Sequence, residues 1–578
     1  MHAIEKHTTH LGNFGMEIYA PVLNPRQHRL LLWLILFWVL GTLAFWHWAF
    51  QPSVWVSLPG TLFNLVLLSY ATGLPVWPFY LFLRMRQVRP DLLVPAGCRV
   101  AMVVTKAPSE PWGLVKETLV AMLAQEPQHD TWLADEQPSE EVRCWCEANG
   151  VEVSSRAGVA DYHRPTWPRR TRCKEGNLAY FYDHFGYENY DLVVQLDADH
   201  IPQPGYLLAM LQPFHDLEVG YVAAPSICST NASSSWVARG RLFAEAVLHG
   251  PMQLGFNGSW APLCIGSHYA VRTTALRESG GLGPELAEDH STTLLLNAHG
   301  WRGAFAHRAI CLGLGPETFE DAMVQEFQWS CSLTNILLHH LQPLFFRLPP
   351  PIRLQFLYAQ IFYPIRGSLS LMALALPVLA ISFDQPWMRI HYPTFLAFSG
   401  LQMVLTVLPV VYVRRCGLLR PANAPLLSWE QTLFELSRGP WICHGVVQAV
   451  RERIWPRPVD FKVTKKQTIV AMLPLRFLVP YLLFVLIGLA AISRFADTSR
   501  LAKGYIFLTL VSVGMFAATA ISILLLSHRQ SRHSLIKYLP HYGIVGGAML
   551  LTLGCCWWRF NDLVIPFQLS SYGLSSSL

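Results

Sequence analysis

Seven long, almost uncharged apolar runs break this chain into blocks, two before a polar middle of more than two hundred residues and five after it. They cover Leu30 to Phe50, Leu62 to Leu83, Ser368 to Phe383, Thr394 to Val413, Ile469 to Ser493, Tyr505 to Leu526 and Gly543 to Phe560. Runs of this kind match the length needed to cross a hydrocarbon core of about 30 Å. The composition agrees, with 52% hydrophobic and only 14% charged residues and 20 tryptophans, where soluble domains carry about 25% charge. A multi-pass membrane protein is therefore expected, an α-helical bundle of about seven spans arranged 2+5.

Lysine and arginine near span ends set the orientation. Arg26 and Arg29, then Arg84, Arg86 and Arg89, then Arg414, Arg415 and Arg420, then Arg529, Arg532 and Lys537 all fall on one side if the runs cross in turn. That side is read as cytosolic, so the middle region is cytosolic and an odd span count puts the C-terminus outside. The first run lacks a small-residue cleavage site after it and reads as an anchor. The net charge of +6 sits near the membrane flanks, and nothing in it argues for nucleic acid. The 12 cysteines show no paired CxxC spacing and are read as free thiols.

The middle region alternates strand-like and helix-like segments. Strands are expected at Arg99 to Thr105, Thr131 to Asp135, Val151 to Ser155, Asp191 to Asp199 and Val219 to Pro225. Helices are expected at Glu110 to Gln125 and Lys174 to Phe185. This alternation predicts a mostly parallel sheet covered on both faces, with ligands at the carboxyl ends of its strands. At such ends stand Asp197 and Asp199, suited to a hard divalent cation and its diphosphate, and Asp135 with Glu136, suited to a base or ribose. Glu288 and Asp289 read as the first turn of a helix, where the dipole favours acids. Val324 to Ser330 places Gln325, Gln328 and Trp329 at i, i+3 and i+4, sharing one helical face. Taken singly, each pattern also fits an ordinary polar strand end, a first-turn acid or a core tryptophan.

Their order is more specific. KEGN at Lys174 to Asn177, DADHIP at Asp197 to Pro202, LCIGSHYAVR around Cys264 to Arg272, GGLGPELAED at Gly280 to Asp289, GWRG at Gly300 to Gly303, GLGPETFEDAMVQEFQW at Gly313 to Trp329 and FKVTKK at Phe461 to Lys466 together resemble the processive family 2 glycosyltransferases, in particular the cellulose synthase branch. The resemblance implies a cytosolic α/β domain of the GT-A type with interfacial amphipathic helices. It implies that Asp135 and Lys174 serve the nucleotide end of the donor, and that Asp197 and Asp199 hold the diphosphate and its Mg2+ or Mn2+. Asp289 would be the general base, with Glu288 beside it, and Gln325, Gln328, Trp329 and Cys264 would serve the acceptor. Phe461, Val463, Thr464 and Lys465 would belong to a gating loop over the donor.

The chain then divides into a cytosolic segment (1–29), two spans (30–83), the glycosyltransferase domain (99–341), interfacial helices (342–367), two spans (368–413), an interfacial helix with the gating loop (427–466), three spans (469–560) and an extracytoplasmic tail (561–578). The implied activity is inverting, processive transfer from a nucleotide sugar, UDP-glucose by default, to a growing β-linked polysaccharide that is exported through the cell membrane. Another donor or linkage, single transfer to a lipid acceptor, or a weakened glycan-conducting subunit stay open as alternatives. So do accessory or homo-oligomeric subunits.

Three departures stand out. Gln328 replaces the arginine of the family's QxxRW motif, so a neutral amide stands where a permanent cation is usual, and Lys465 and Lys174 are the first candidates to compensate. The opening VVTKAPSEP and the loop LADEQ differ from the family's patterns, which weakens the reading of Asp135. A span-length run follows Arg529 and Arg532, so no cyclic di-GMP barrel is expected there.

Overall fold

The computed structural model describes residues 18–171, 173–384, 387–389, 392–455, 471–494, 500–531 and 533–559. Its polar middle is built on seven strands: β1 (Val100–Lys106), β2 (Asp130–Asp135), β3 (Val151–Ser154), β4 (Leu192–Asp197), β5 (Val219–Ala223), β6 (His268–Arg272) and β7 (Arg302–Phe305). They lie in the order β7-β5-β6-β4-β1-β2-β3. Valine-rich β1 is buried along its whole length. Met102 and Val104 join one hydrophobic cluster while Ala101 and Val103 join the other, the period-2 pattern of a strand covered on both faces. One cluster takes Val115, Leu119 and Met122 from the helix Trp112–Leu123, and the other takes Leu178, Phe181 and Tyr182.

All five strands read from the sequence are present, but the sheet is mixed. β6 runs antiparallel to β4 and β5, whereas β7 pairs parallel to β5. Six of the seven strands still run in one direction, so the sheet is mostly parallel, with β6 alone reversed; β6 and β7 are strands the sequence reading did not name. Antiparallel strands need no crossover helix, so strand–helix alternation carries no signal for β6. Five residues of HYAVR are also too few to show a period.

Seven helices frame the site: α1 (Lys174–Phe181), α2 (Trp236–Glu245), α3 (Glu288–Ala298), α4 (Phe319–Asn335), α5 (Pro350–Ser382), α6 (Trp429–Ser437) and α7 (Gly439–Ile454). Thr318 caps α4 through a capping box with Asp321. α5 is one 33-residue helix, so the boundary expected at 367/368 between an interfacial segment and the third span is not a break in the chain. Its first turns hold the sheet domain: Gln355 bonds both Ala261 N and Ala261 O, at 2.9 and 2.6 Å, and Gln360 meets His290 at 3.1 Å. α7 packs flush on α4 because Gly445 has no Cβ; one there would collide with Ser330 Oγ and Phe327 O.

Among the described residues six helices are long and apolar enough to cross a membrane: Pro25–Ala49, Leu58–Phe82, Pro350–Ser382, Pro393–Arg415, Tyr505–Ser531 and Leu535–Trp558. In the run read as Ile469 to Ser493, the described residues form a helix over Val479–Arg494, 16 residues, preceded by a 3-10 turn at Leu475–Phe477. Proline at 474 and 480 keeps the earlier residues out of it. At about 1.5 Å per residue that helix rises roughly 24 Å, short of a full crossing by itself.

Candidate active site

Register brings three ionisable groups to one edge of the sheet. Lys106 lies opposite Asp135 and Thr105 opposite Asp197, so the ends of β1, β2 and β4 share the carboxyl edge where ligands sit in such sheets. At the start of α1, Lys174 Nζ donates to Asp197 Oδ1 at 2.7 Å and to Gly266 O at 2.6 Å. Burial opposes its charge, but Asp197 and Glu288 outweigh burial and raise its pKa. Asp199 is buried; its Oδ2 accepts Leu314 N at 3.1 Å and its Oδ1 faces His200 Nδ1 at 3.4 Å.

Asp197, Asp199 and His200 offer ligand atoms that all lie within 4.8 Å of one another. Two carboxylates and an imidazole are the donor set of a divalent cation such as Mg2+ or Mn2+. Burial opposes a charged imidazole at His200, yet Asp199 outweighs it and holds the pKa at about 10.

The second element of the site is the N-terminus of α3, whose first turn carries Glu288 and Asp289. Tyr269 OH donates to Glu288 Oε2 at 2.7 Å, and Glu288 Oε1 is buried with no hydrogen-bond partner. Asp289 lies against Gly266, where an added Cβ would stand 3.3 Å from its Oδ2. Burial raises the pKa of both acids above the ordinary carboxylate range. Gly266 thus touches both halves: its carbonyl receives Lys174 and its missing side chain admits Asp289.

The third element is α4. Ser332 Oγ accepts the N–H of Ala287, the residue before Glu288, at 3.0 Å, so this face of α4 abuts the start of α3. One turn earlier Gln328 is buried, while Gln325 and Trp329 are half-buried. Arg241 of α2 meets both of the latter: Nη1 donates to Gln325 Oε1 at 3.0 Å, and Cζ stands 4.4 Å from the Trp329 ring centroid. A second buried network lies below it, where Arg438 pairs with Glu326 at 3.3 Å and with Glu435 at 3.2 Å.

The structure therefore brings Lys174, Asp197, Asp199, Glu288 and Asp289 together, with α4 alongside. Asp135 stands fully buried at the end of β2, 3.0 Å from Lys106 Nζ. Its neighbour Glu136 pairs with the fully buried Arg156, which also donates to the carbonyls of Tyr162, Arg170 and Cys173 and fixes that loop. Cys264 is buried in the core cluster with Tyr269 and Leu296, its N–H bonded to Thr293 Oγ1 at 3.1 Å. Burial pushes its thiol pKa up. Phe461, Val463, Thr464 and Lys465 lie outside the described residues. The sequence reading missed His200, which its position next to Asp199 signals, and Gly266, Tyr269, Lys106 and Arg241, whose partners are distant in sequence.

Comparison with known proteins agrees with this geometry. Residues 192–418 match the model of the glycosyl transferase family group 2. The cellulose synthase catalytic subunit (UDP-forming) of Xanthomonas axonopodis pv. citri is 28% identical over 211 residues, covering 35% of this chain and 27% of that protein. The corresponding cellulose synthase 1 catalytic subunit of Komagataeibacter xylinus is 27% identical over 231 residues, 36% of this chain and 27% of that one. The matched stretch thus spans about a quarter of each relative. Among solved structures, a mannosyltransferase from Pyrobaculum calidifontis in complex with GDP-Man and Mn2+ is 16% identical, covers 67% of this chain and 98% of its own, and superposes with a TM-score of 0.42. Residues 192–418 are thus similar to the glycosyl transferase family group 2, and stretches covering 35% and 36% of this chain are similar to the catalytic subunits of cellulose synthases.

Proposed function

We propose that the protein is a multi-pass membrane enzyme, its catalytic domain cytosolic, that transfers sugar from a nucleotide sugar with inversion and extends a β-linked polysaccharide which leaves through the bundle. The observation that carries this reading is the meeting of Lys174 and Asp289 on Gly266, with Trp329 on the helix that abuts the same acids. A cation clamp, a half-buried base and an aromatic platform on the adjoining helix are the parts that such a transfer needs.

In this reading Asp289 takes the proton of the acceptor hydroxyl as that oxygen attacks the sugar carbon. Its raised pKa makes it a stronger base than an ordinary aspartate, and a positioned base contributes about 10² to 10⁴-fold. Lys174 holds Asp197 and meets the departing diphosphate with a second positive charge. A cation held by Asp197, Asp199 and His200 supplies neutralisation of the leaving group. Glu288, pinned by Tyr269, keeps the start of α3 buried and fixes the direction of Asp289. Trp329 offers its ring to the apolar C–H face of a sugar, leaving the hydroxyls free.

The homology to cellulose synthase catalytic subunits makes UDP-glucose the first donor to test and Mg2+ or Mn2+ the first cations. Five crossings would follow the catalytic domain if Val479–Arg494 spans with help from its flanks. Single transfer to a lipid is the main rival, and the platform at Trp329 beside membrane helices favours a polymer acceptor. Incubating detergent-purified protein with a panel of nucleotide sugars, then analysing product size and linkage, tests the reading. A β-linked polymer supports it; a single sugar on lipid contradicts it.

A further inference from the structure

An amide fills position 328, where the resemblance leads one to expect a guanidinium, yet a guanidinium does stand against this helix. It arrives from α2. Arg241 is only 9% exposed. Its Cζ lies 4.4 Å from the Trp329 ring centroid, its Nη1 donates to Gln325 Oε1 at 3.0 Å and its Nε to Glu245 Oε1 at 3.1 Å. We propose that Arg241 is a positioning residue for the acceptor: it locks the Trp329 indole and the Gln325 amide into one fixed platform. This rests on the reading of Trp329 as the surface on which the acceptor sugar stacks.

Three features carry the proposal. First, one planar fork serves three partners, stacking on a ring while donating to an amide and a carboxylate; a lysine ammonium has no such plane. Burial strengthens the cation–π contact, since water does not compete for the guanidinium. Second, the frame that presents Arg241 is rigid. Ser235, which caps α2, donates to Pro316 O and Glu317 O at 3.2 and 2.9 Å, just ahead of the α4 cap. Behind it, Arg239 bonds Glu430 of α6 at 3.0 Å, and Gly240 packs on the Glu430 carbonyl so closely that a Cβ would fall 2.6 Å from it. α2 is thereby fastened to both α4 and α6.

Third, the charge of Arg241 is already matched. Glu245 stays ionised beside it: burial works against the carboxylate, but Arg241 outweighs burial and lowers the pKa. His249 shares Glu245 at 3.4 Å. A locally neutralised guanidinium is poorly placed to bind a diphosphate and well placed to orient a ring. Arg241 therefore does not replace the missing arginine as an anion binder. It covers one face of the indole and leaves the partly exposed remainder for a sugar.

The test uses the full chain in detergent, labelled with 5-fluorotryptophan, and four variants: R241Q, R241K, Q328R and W329F. The fluorine resonance of Trp329 is assigned by its loss in W329F. It is expected to move in R241Q, to be only partly restored by R241K, and to stay in place in Q328R. In transfer assays with cellopentaose as acceptor and UDP-glucose as donor, R241Q is expected to raise the acceptor KM about tenfold while the donor KM changes less than twofold. An unmoved resonance in folded R241Q, or a donor KM that rises while the acceptor KM does not, overturns the proposal. The resonance reads the platform whether or not sugar transfer is detected, so an inactive wild-type chain contradicts the functional reading, while an unmoved resonance still overturns the role of Arg241.

Discussion

Lys174 and Asp289 meet through a single glycine: the Lys174 ammonium lies 2.6 Å from Gly266 O, while the missing side chain of Gly266 leaves room for the Asp289 carboxylate. The ammonium and the carboxylate that the proposed transfer assigns to the leaving group and to the incoming hydroxyl are thus held at one glycine, at the turn that leads into β6.

Replacing Gly266 by alanine tests that relationship. The new Cβ would stand 3.3 Å from Asp289 Oδ2, close enough to turn a flexible carboxylate but not to displace backbone. Turnover is expected to fall about tenfold or more, since small misplacements of a catalytic group are costly, with an unchanged melting temperature. Calorimetry and steady-state kinetics together check it.

Lys174→Met removes the charge-assisted bond to Asp197. Hydrogen bonds to charged groups are worth about 1.5–3 kcal/mol, so kcat/KM for the donor is expected to fall roughly 10- to 100-fold. The loss should appear mainly in donor affinity, measured by titration with the nucleoside diphosphate.

Chelation is expected to abolish transfer, and Mg2+ or Mn2+ to restore it. In Asp199→Asn the restoring concentration should rise at least tenfold, because one of three ligands loses its charge. Activity unaffected by exhaustive chelation would remove the cation from the account.

The pH dependence follows from burial. Both acids at the start of α3 have pKa values raised above the ordinary range, so the acid limb of kcat/KM is expected well above pH 4, near which a free aspartate titrates. Activity should fall as pH drops through the raised value and Asp289 gains its proton. Stability runs the other way. A carboxyl whose folded pKa exceeds its unfolded one favours the fold below the unfolded value, and that contribution is lost as pH rises through the folded one. Glu288→Gln is therefore expected to raise the melting temperature at pH 8 more than at pH 4.

Gly445→Ala tests how the domain is seated. The added methyl meets Ser330 Oγ, and the carbonyl of Phe327 at 2.5 Å, so α7 must move off α4. Overpacking of this kind costs about 1–3 kcal/mol. A lower melting temperature and weakened acceptor binding are expected together, because Trp329 rides on α4.

Much of this was legible in the sequence. β4 could be read because four of its six residues are apolar and the run stops abruptly at Asp197-Ala198-Asp199; the acids of α3 could be read as a first turn. β6 was not, because antiparallel pairing follows from the register between His268–Arg272 and Leu192–Leu196, not from local periodicity. The ion pair of Asp135 with Lys106 was not legible either, because it follows from the register of two neighbouring strands. Arg241 was invisible, since nothing in RGRLFAE marks a contact made 84 residues away. The short helix at Val479–Arg494 shows the opposite failure, an apolar run longer than the helix its prolines permit.

The central claim, that Asp289 is the base of a sugar transfer, is tested most directly by nucleoside diphosphate release from the purified full-length protein supplied with UDP-glucose and Mn2+. Wild type is predicted to release UDP, and Asp289→Asn to lose at least about 10²-fold of that rate while binding UDP as tightly as wild type. Release that persists in Asp289→Asn at the wild-type rate would contradict the account.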